Sequence, residues 1–303
     1  MHHWYLDSFS IVGSCVVAQG WSSAQDFRLW YGGVELPLVA TTVSRPYLVE
    51  MYADQGAAAW GFAVCAALPF PDPDPGAFRL QIAPEIVLDD PGRRFTRADD
   101  GRFEAMTAAF RDEVARRRGV LLEIGSRARS GNVYRSWFPD DIRYIGLDVA
   151  AGPNVDLVGD AHHLSRVVHE PVDFVFSMAT FEHILMPWKV ALEMNKVMAP
   201  GGLALIVSHN AWPLHEEPWD FFRFSKESWS AIFNRHTGFE IVDAQYQHQA
   251  AVVPQYASSH DLARLSGGYA YLLSGCVARK TGPATVAWKA EAAEVYDLNY
   301  AHA

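Results

Sequence analysis

The chain has 303 residues, 50% of them hydrophobic and 20% charged, which is enough apolar material for two ordinary cores and excludes general disorder. A formal net charge of -10 at pH 7 disfavours any partner held mainly through phosphates, since such binding needs Lys and Arg to displace counterions, so nucleic acid is not an expected partner. Cys15, Cys65 and Cys276 lie far apart and suggest neither a zinc ribbon nor a disulfide framework. No basic, apolar leader and no run of about 18 apolar residues is present, so a soluble, cytoplasmic protein without a membrane span is expected.

From Met1 to about Pro84, short runs rich in aromatic and β-branched residues are punctuated by Gly and Pro: Ser10–Ala18, Phe27–Tyr31, Val34–Val39, Trp60–Cys65 and Phe78–Ile82. This pattern predicts an all-β, sandwich-like domain over residues 1–95. Within it, Tyr31-Gly-Gly-Val34 predicts a tight hairpin, because glycine tolerates the positive φ that such a turn demands. A Pro/Asp-rich stretch from Pro71 reads as a loop, and Asp89–Arg94 as a linker that places the boundary near residue 95.

Phe103, Met106, Phe110 and Val114 recur at helical spacing and predict a helix over 103–118. Strand-like and helical runs then alternate, the strands being Val120–Ile124, Arg143–Asp148, Val155–Val158, Val172–Ser177 and Gly202–Ser208. Such alternation predicts a parallel sheet with helices on both faces. Phe239–Tyr246 and Tyr269–Ala278 follow without the crossover rhythm and predict a closing antiparallel pair.

Glu123-Ile-Gly125-Ser126 ends the first of these strands, and a helix is expected to open after it. Asp148 ends the second, where a carboxylate can accept hydrogen bonds from both hydroxyls of a ribose. Gly159-Asp160-Ala161-His162 follows one strand later, then Asp173 and Phe181-Glu182-His183. Through this ordered series, and the glycine turn at Pro200-Gly-Gly-Leu203, residues 103–280 resemble class I S-adenosylmethionine-dependent methyltransferases, of the bacterial type 11-like kind.

The resemblance implies a Rossmann-like seven-stranded sheet with an antiparallel last strand, and S-adenosylmethionine as cofactor. It further implies that Glu123, Gly125 and Ser126 line the methionine moiety and that Asp148 holds the ribose. Asp160 and Ala161 would contact the adenine, with Ser177 and Met178 bordering the cofactor. Arg127 and Arg129 depart from the family's glycine-rich pattern, so the loop is expected to swing wider or turn those side chains outward. An NAD-dependent oxidoreductase shares the glycine turn and the acidic residue, but the full G-x-G-x-x-G is missing. A non-catalytic cofactor-binding or interaction protein on the same fold is the other alternative.

Between Ser208 and Phe224 the chain is dense in aromatic and ionisable side chains, including His209, Trp212, His215, Trp219, Asp220, Phe221, Phe222 and Arg223. Its His215-Glu-Glu-Pro-Trp-Asp-Phe-Phe-Arg-Phe stretch resembles a subset of bacterial methyltransferases associated with surface-glycan or secondary-metabolite genes. A saccharide or other small-molecule acceptor, methylated on oxygen, is therefore expected. His183, His209 and His215 are the candidate bases, imidazole being suited to take a hydroxyl proton near neutral pH, with bracing of a loop as the alternative for each. Trp219, Asp220 and Arg223 are candidate acceptor contacts. His162, His163, His183, His209 and His215 with nearby carboxylates also leave room for a divalent metal, but no ligand spacing identifies one and none is assigned. The catalytic domain is placed at residues 96–303, and the β-domain is read as a scaffold or as a glycan-binding module in which Trp4, Trp21 or Trp30 could stack on a sugar.

Overall fold

The protein is described here by a computed structural model covering residues 2–12, 14–69, 73–94, 101–129, 131–250, 252 and 270–296. The boundary expected near residue 95 falls outside the described residues. Two compact units divide the chain: Met1–Ala98 with Gln249–Ala270, and Asp99–His248 with Tyr271–Ala303.

In the first unit the strands are Trp4–Val12 (β1), Cys15–Ser22 (β2), Arg28–Tyr31 (β3), Val34–Leu36 (β4), Leu38–Val43 (β5), Gly61–Ala67 (β6), Phe78–Ala83 (β7) and Ile86–Asp89 (β8), with helix Tyr47–Tyr52 (α1) between β5 and β6. They form two four-stranded antiparallel sheets, ordered β1-β2-β6-β5 and β4-β3-β7-β8. Leu6, Val16, Phe62 and Val64 of the first sheet share one buried cluster with Leu29, Leu36, Phe78 and Leu80 of the second, which makes the pair a sandwich.

Tyr31 pairs with Val34, and Gly32 (φ 55) and Gly33 (φ 87) supply the two positive φ angles of a two-residue hairpin, as expected. Two of the sequence runs are split. Ser10–Ala18 holds the end of β1 and the start of β2. Val34–Val39 is broken at Pro37, which has no N–H for a ladder and stands where the chain passes from one sheet to the other. Trp21 is buried against Leu48 and Ala57 and offers no open face for a sugar.

The second unit begins with Arg102–Arg117 (α2), which buries Phe103, Met106, Phe110 and Val114 along one stripe. Glu104 in its first turn and Arg116 and Arg117 in its last complement the helix dipole. The strands are Val120–Ile124 (β9), Arg143–Asp148 (β10), Leu157–Val158 (β11), Val172–Met178 (β12), Met198–His209 (β13), Phe239–Ala250 (β14) and Ala270–Lys280 (β15). Helices Leu164–Val167 (α3), Pro187–Val197 (α4) and Lys226–Ile232 (α5) lie between them in sequence. Together they make one seven-stranded sheet, β11-β10-β9-β12-β13-β15-β14, with β9 to β13 paired in parallel and β15 antiparallel to β13. This is the Rossmann-like sheet expected.

Alternation along the strands sends neighbouring residues to opposite faces. Leu121, Phe174, Phe176 and Leu205 pack with α2, whereas Leu122, Val175, Ala204 and Ile206 pack with Val190 and Met194 of α4 and Trp229 of α5. The helix expected after β9 is not present among the described residues; a short 3-10 turn, Tyr134–Trp137, stands there instead. Residues 125–132 carry no apolar stripe to hold a helix, and Tyr134, Trp137 and Phe138 cover Phe176 on that face directly.

Candidate cofactor and acceptor site

The chain runs from β9 to β10 and β11 on one side of the sheet and returns to β12 and β13 on the other, so the order reverses between β9 and β12. Loops leaving the strands' carboxyl ends at such a reversal diverge and leave a crevice. A cavity of about 1000 Å³ lies there, lined by Gly125, Ser126, Asp148, Asp160, Ala161, Met178 and the loop after β13, among others. That is the upper end of the roughly 300–1,000 Å³ usual for small-molecule sites, room for a nucleoside-sized cofactor and an acceptor together.

Glu123 is buried at the end of β9, where its Oε2 accepts from Tyr144 Oη (2.6 Å) and Asn154 Nδ2 (2.9 Å). Burial pushes its pKa up, and the two donors only partly oppose that. Gly125 sits at φ +82, and a Cβ there would meet Thr180 Oγ1 at 2.0 Å, so what demands glycine is the Thr180 side chain crossing from the β12 loop.

Asp148 accepts from the backbone N–H of Ala150 (3.1 Å) and of Arg127 (3.2 Å), which aims its carboxylate at the cavity mouth. Arg127 also turns its guanidinium inward, Nε lying 3.5 Å from Asp148 Oδ1, contrary to an outward-pointing side chain. Ser126 Oγ and Arg127 Nε are buried without a hydrogen-bond partner among the described residues. Both residues line the cavity, so these orphaned polar atoms suit a polar ligand.

Asp160 caps the 3-10 turn after β11, Oδ1 accepting from His162 N–H (2.8 Å) and approaching His162 Nδ1 (2.7 Å). His162 Nε2 accepts from Met186 N–H (3.1 Å), which leaves the ring proton on Nδ1 to be donated to Asp160. Burial raises the Asp160 pKa, but the His162 contacts outweigh it and hold the carboxyl below its ordinary value. Met178 lines the cavity, whereas Ser177 lies off it, fully buried and donating to Ile124 O (2.9 Å) as a bolt between β12 and β9. Asp173, at the opposite end of β12, accepts from Val120 N–H at 3.0 Å and pins the start of β9.

At the other end of the cavity Glu182, His183, His209 and His215 converge, all four lining it. Glu182 is fully buried; its Oε2 accepts from Ser208 Oγ (2.6 Å), and its Oε1 lies 2.8 Å from His209 Nδ1 without the alignment of a hydrogen bond. Burial pushes the Glu182 pKa up, and His209 and Ser208 more than reverse it. The His209 ring stacks flat on Trp212, centroids 4.3 Å apart, and meets the edge of His215 at 5.0 Å. His183 donates through Nδ1 to Trp219 O (2.6 Å), leaving Nε2 towards Glu182 Oε1 at 3.9 Å.

Asp220 and Arg223 brace the loop from behind and do not line the cavity. Arg223 grips both carboxylate oxygens, Nη1 to Oδ1 at 2.5 Å and Nη2 to Oδ2 at 2.7 Å, and donates to the carbonyls of Trp212, Pro213 and Phe222. Hydrogen bonding from Arg223, against the smaller effect of burial, holds the Asp220 carboxyl well below its ordinary value. Its guanidinium is thus committed to the loop. Of the aromatic residues, Trp212, Trp219 and Phe221 face the cavity and Phe222 packs on the core.

Sequence reasoning left Glu182 unassigned, although it stands beside His183, and missed Thr180, whose only signal was a glycine facing it. It also missed the Arg129–Glu216 ion pair that ties the loop after β9 to the loop after β13. Glu291 and Tyr296, near the chain's end, line the cavity too, with Glu291 held by Lys189 and His163, both at 2.9 Å.

Sheet order and cavity define a Rossmann-like domain with a small-molecule crevice at the reversal of its sheet. Residues 130–206 match the family model described as "Methyltransferase domain", in agreement with the resemblance drawn from the acidic series. Two uncharacterized methyltransferases of Mycobacterium leprae, strains Br4923 and TN, are each 32% identical over 106 residues, covering 31% of this chain and 38% of theirs. The chain therefore matches well under half the length of these curated relatives. Among solved structures, a SAM-dependent methyltransferase from Archaeoglobus fulgidus is similar with a TM-score of 0.40 at 16% identity, covering 60% of this chain and 97% of its own. A putative methyltransferase from Bacillus halodurans is similar with a TM-score of 0.44 at 13% identity, covering 59% and 100%.

Proposed function

We propose that the chain is an S-adenosylmethionine-dependent methyltransferase acting on an oxygen of a saccharide or other small-molecule acceptor, with residues 96–303 as catalytic domain and 1–95 as accessory module. The observation that carries this reading is that one cavity joins the Asp148 carboxylate, at the reversal of the sheet, to a cluster of imidazoles over β12 and β13. Asp148 would hold the ribose, Asp160 and Ala161 the adenine, and Gly125, Ser126 and Met178 the methionine end, with Glu123 setting the local charge behind them. When bound, the cofactor supplies an electrophilic methyl group on a sulfonium centre.

His183 is the base in this reading: its Nδ1–H is given to Trp219 O, so Nε2 of the neutral ring carries the lone pair that takes the acceptor's hydroxyl proton. Trp212, Trp219 and Phe221 offer apolar faces suited to a sugar ring. No described helix is long and apolar enough to cross a membrane. An NAD-dependent reaction is disfavoured because no helix follows β9 among the described residues to present its N-terminus to a pyrophosphate.

Calorimetric titration of the full chain with S-adenosylmethionine and with S-adenosylhomocysteine, alongside Asp148→Ala and an NAD control, tests the reading. Saturable binding that the variant loses is the expected result. Absence of binding, or binding of NAD instead, overturns it.

A further inference from the structure

We propose that Glu182, His209 and His215 form a binding site for a first-row divalent transition-metal ion at the acceptor end of the cavity. One ligand atom from each of the three lies within 4.8 Å of the others. Around an ion with bonds of about 2.1 Å, ligand atoms stand roughly 3.4 Å apart, so the cluster needs a closure of about an ångström. His215 is half-exposed, with its backbone N–H on Asp220 Oδ2 (3.0 Å) and Nδ1 on Pro213 O (3.1 Å), so the closure falls to a turn of its ring on a braced loop.

Two observations set this cluster apart from a chance gathering of polar groups. Glu182 Oε1 and His209 Nδ1 are both buried and both lack a hydrogen-bond partner among the described residues. They nevertheless sit 2.8 Å apart without the alignment of a hydrogen bond, and a parting of about 0.6 Å would bring them to the spacing of neighbouring ligands on one ion. Leaving two such groups unsatisfied in the interior is costly, and a shared cation would satisfy both.

The surroundings also match a metal centre. Ser208 Oγ donates to the other oxygen of Glu182, and the flat stack on Trp212 fixes the plane of the His209 ring; such outer contacts orient ligands before an ion arrives. Two imidazoles and one carboxylate suit zinc, manganese or iron(II) rather than calcium or magnesium, which prefer oxygen donors throughout. All three residues line the cavity, so the remaining coordination positions open towards the acceptor, as in a catalytic rather than a structural site. His183, with Nε2 at 3.9 Å from Glu182 Oε1, stands beside the site and stays available as the base. The role given to the ion, holding an acceptor oxygen, rests on the methyltransferase reading; the binding itself does not.

The test is titration of the chelator-treated full chain with Co²⁺, without S-adenosylmethionine, followed by its visible absorption and by competition with Zn²⁺. One ion per chain is expected, weakened at least about tenfold by His215→Ala and by Glu182→Gln. The exposed His169→Ala variant should bind as the parent does. His215→Ala alters a half-exposed side chain, so its result stands even where Glu182→Gln fails to fold. No Co²⁺ uptake, or uptake unchanged in His215→Ala, overturns the proposal and leaves Glu182 and His209 as a plain buried ion pair. Failure here leaves cofactor binding by Asp148 untouched, and failure of cofactor binding leaves the Co²⁺ titration to be judged on its own.

Discussion

Gly125 is where local backbone and cavity wall can be tested against each other. A Cβ added there would lie 2.0 Å from Thr180 Oγ1, 2.5 Å from Cγ2 and 2.8 Å from Cβ, on a residue at φ +82. A left-handed backbone costs a non-glycine residue about 1–2 kcal/mol, and forcing a methyl into an occupied space about 1–3 kcal/mol. Gly125→Ala should therefore destabilise the protein by about 2–5 kcal/mol in urea denaturation and weaken S-adenosylhomocysteine binding as the wall shifts. Adding Thr180→Ala to Gly125→Ala removes the two nearest contacts but keeps the Cβ at 2.8 Å, so the double variant should recover about 1–2 kcal/mol, the backbone share remaining lost. If Gly125→Ala falls within about 0.5 kcal/mol of the parent, or Thr180→Ala recovers nothing, the steric account is wrong.

Glu123 binds a proton more tightly in the fold than in the unfolded chain, so its ionisation costs stability as pH rises from its unfolded value of about 4.3 through the raised folded one. Glu123→Gln should consequently compare better with the parent at pH 8 than at pH 4.5 in urea denaturation; an equal difference at both would contradict this. Arg223→Ala leaves the buried Asp220 carboxylate without its two-pronged partner and should cost about 3–5 kcal/mol, read as thermal unfolding and as faster proteolysis of the loop. Arg223→Lys should not rescue it, since one ammonium cannot reach the carboxylate and three carbonyls together. Trp229→Ala opens a fully buried site beneath Phe224 and removes the Nε1–H from which Ser274 Oγ accepts, with an expected loss of about 3–5 kcal/mol in urea denaturation.

Much of the second unit was legible because its signals are local. Val120–Ile124 and Arg143–Asp148 are bounded by Gly119 and by acidic strand ends, and the structure keeps both limits. Strand existence in the first unit was readable too, but not the break at Pro37, because a passage between sheets shows in pairing partners rather than in the run of apolar residues. At the site, Asp148 and Asp160 could be placed by position after a strand. Ser177 could not, since inward and outward positions at a strand end differ by a single residue. Asp220 and Arg223 carry the same residue types whether they touch an acceptor or lock a loop, and only the carbonyls of Trp212, Pro213 and Phe222 around the guanidinium decide it.

The two arginines that break the glycine pattern and the missing helix after β9 are one feature. A helix there would bring backbone N–H groups to the crevice and a buried stripe to hold them in place. With no such stripe in residues 125–132, the loop has to be fastened from its ends. Arg127 fastens one end to Asp148 through its backbone N–H, with its guanidinium as a 3.5 Å charge contact, and Arg129 fastens the other to Glu216 across the cavity mouth. Glu216 adjoins His215, in the loop that Arg223 braces from behind, so the arginine that departs from the family pattern also restrains the imidazole end of the cavity. Side-chain charge has taken over a positioning task that backbone geometry would otherwise perform, and the closure of the acceptor end thereby becomes sensitive to salt, as partly exposed ion pairs are.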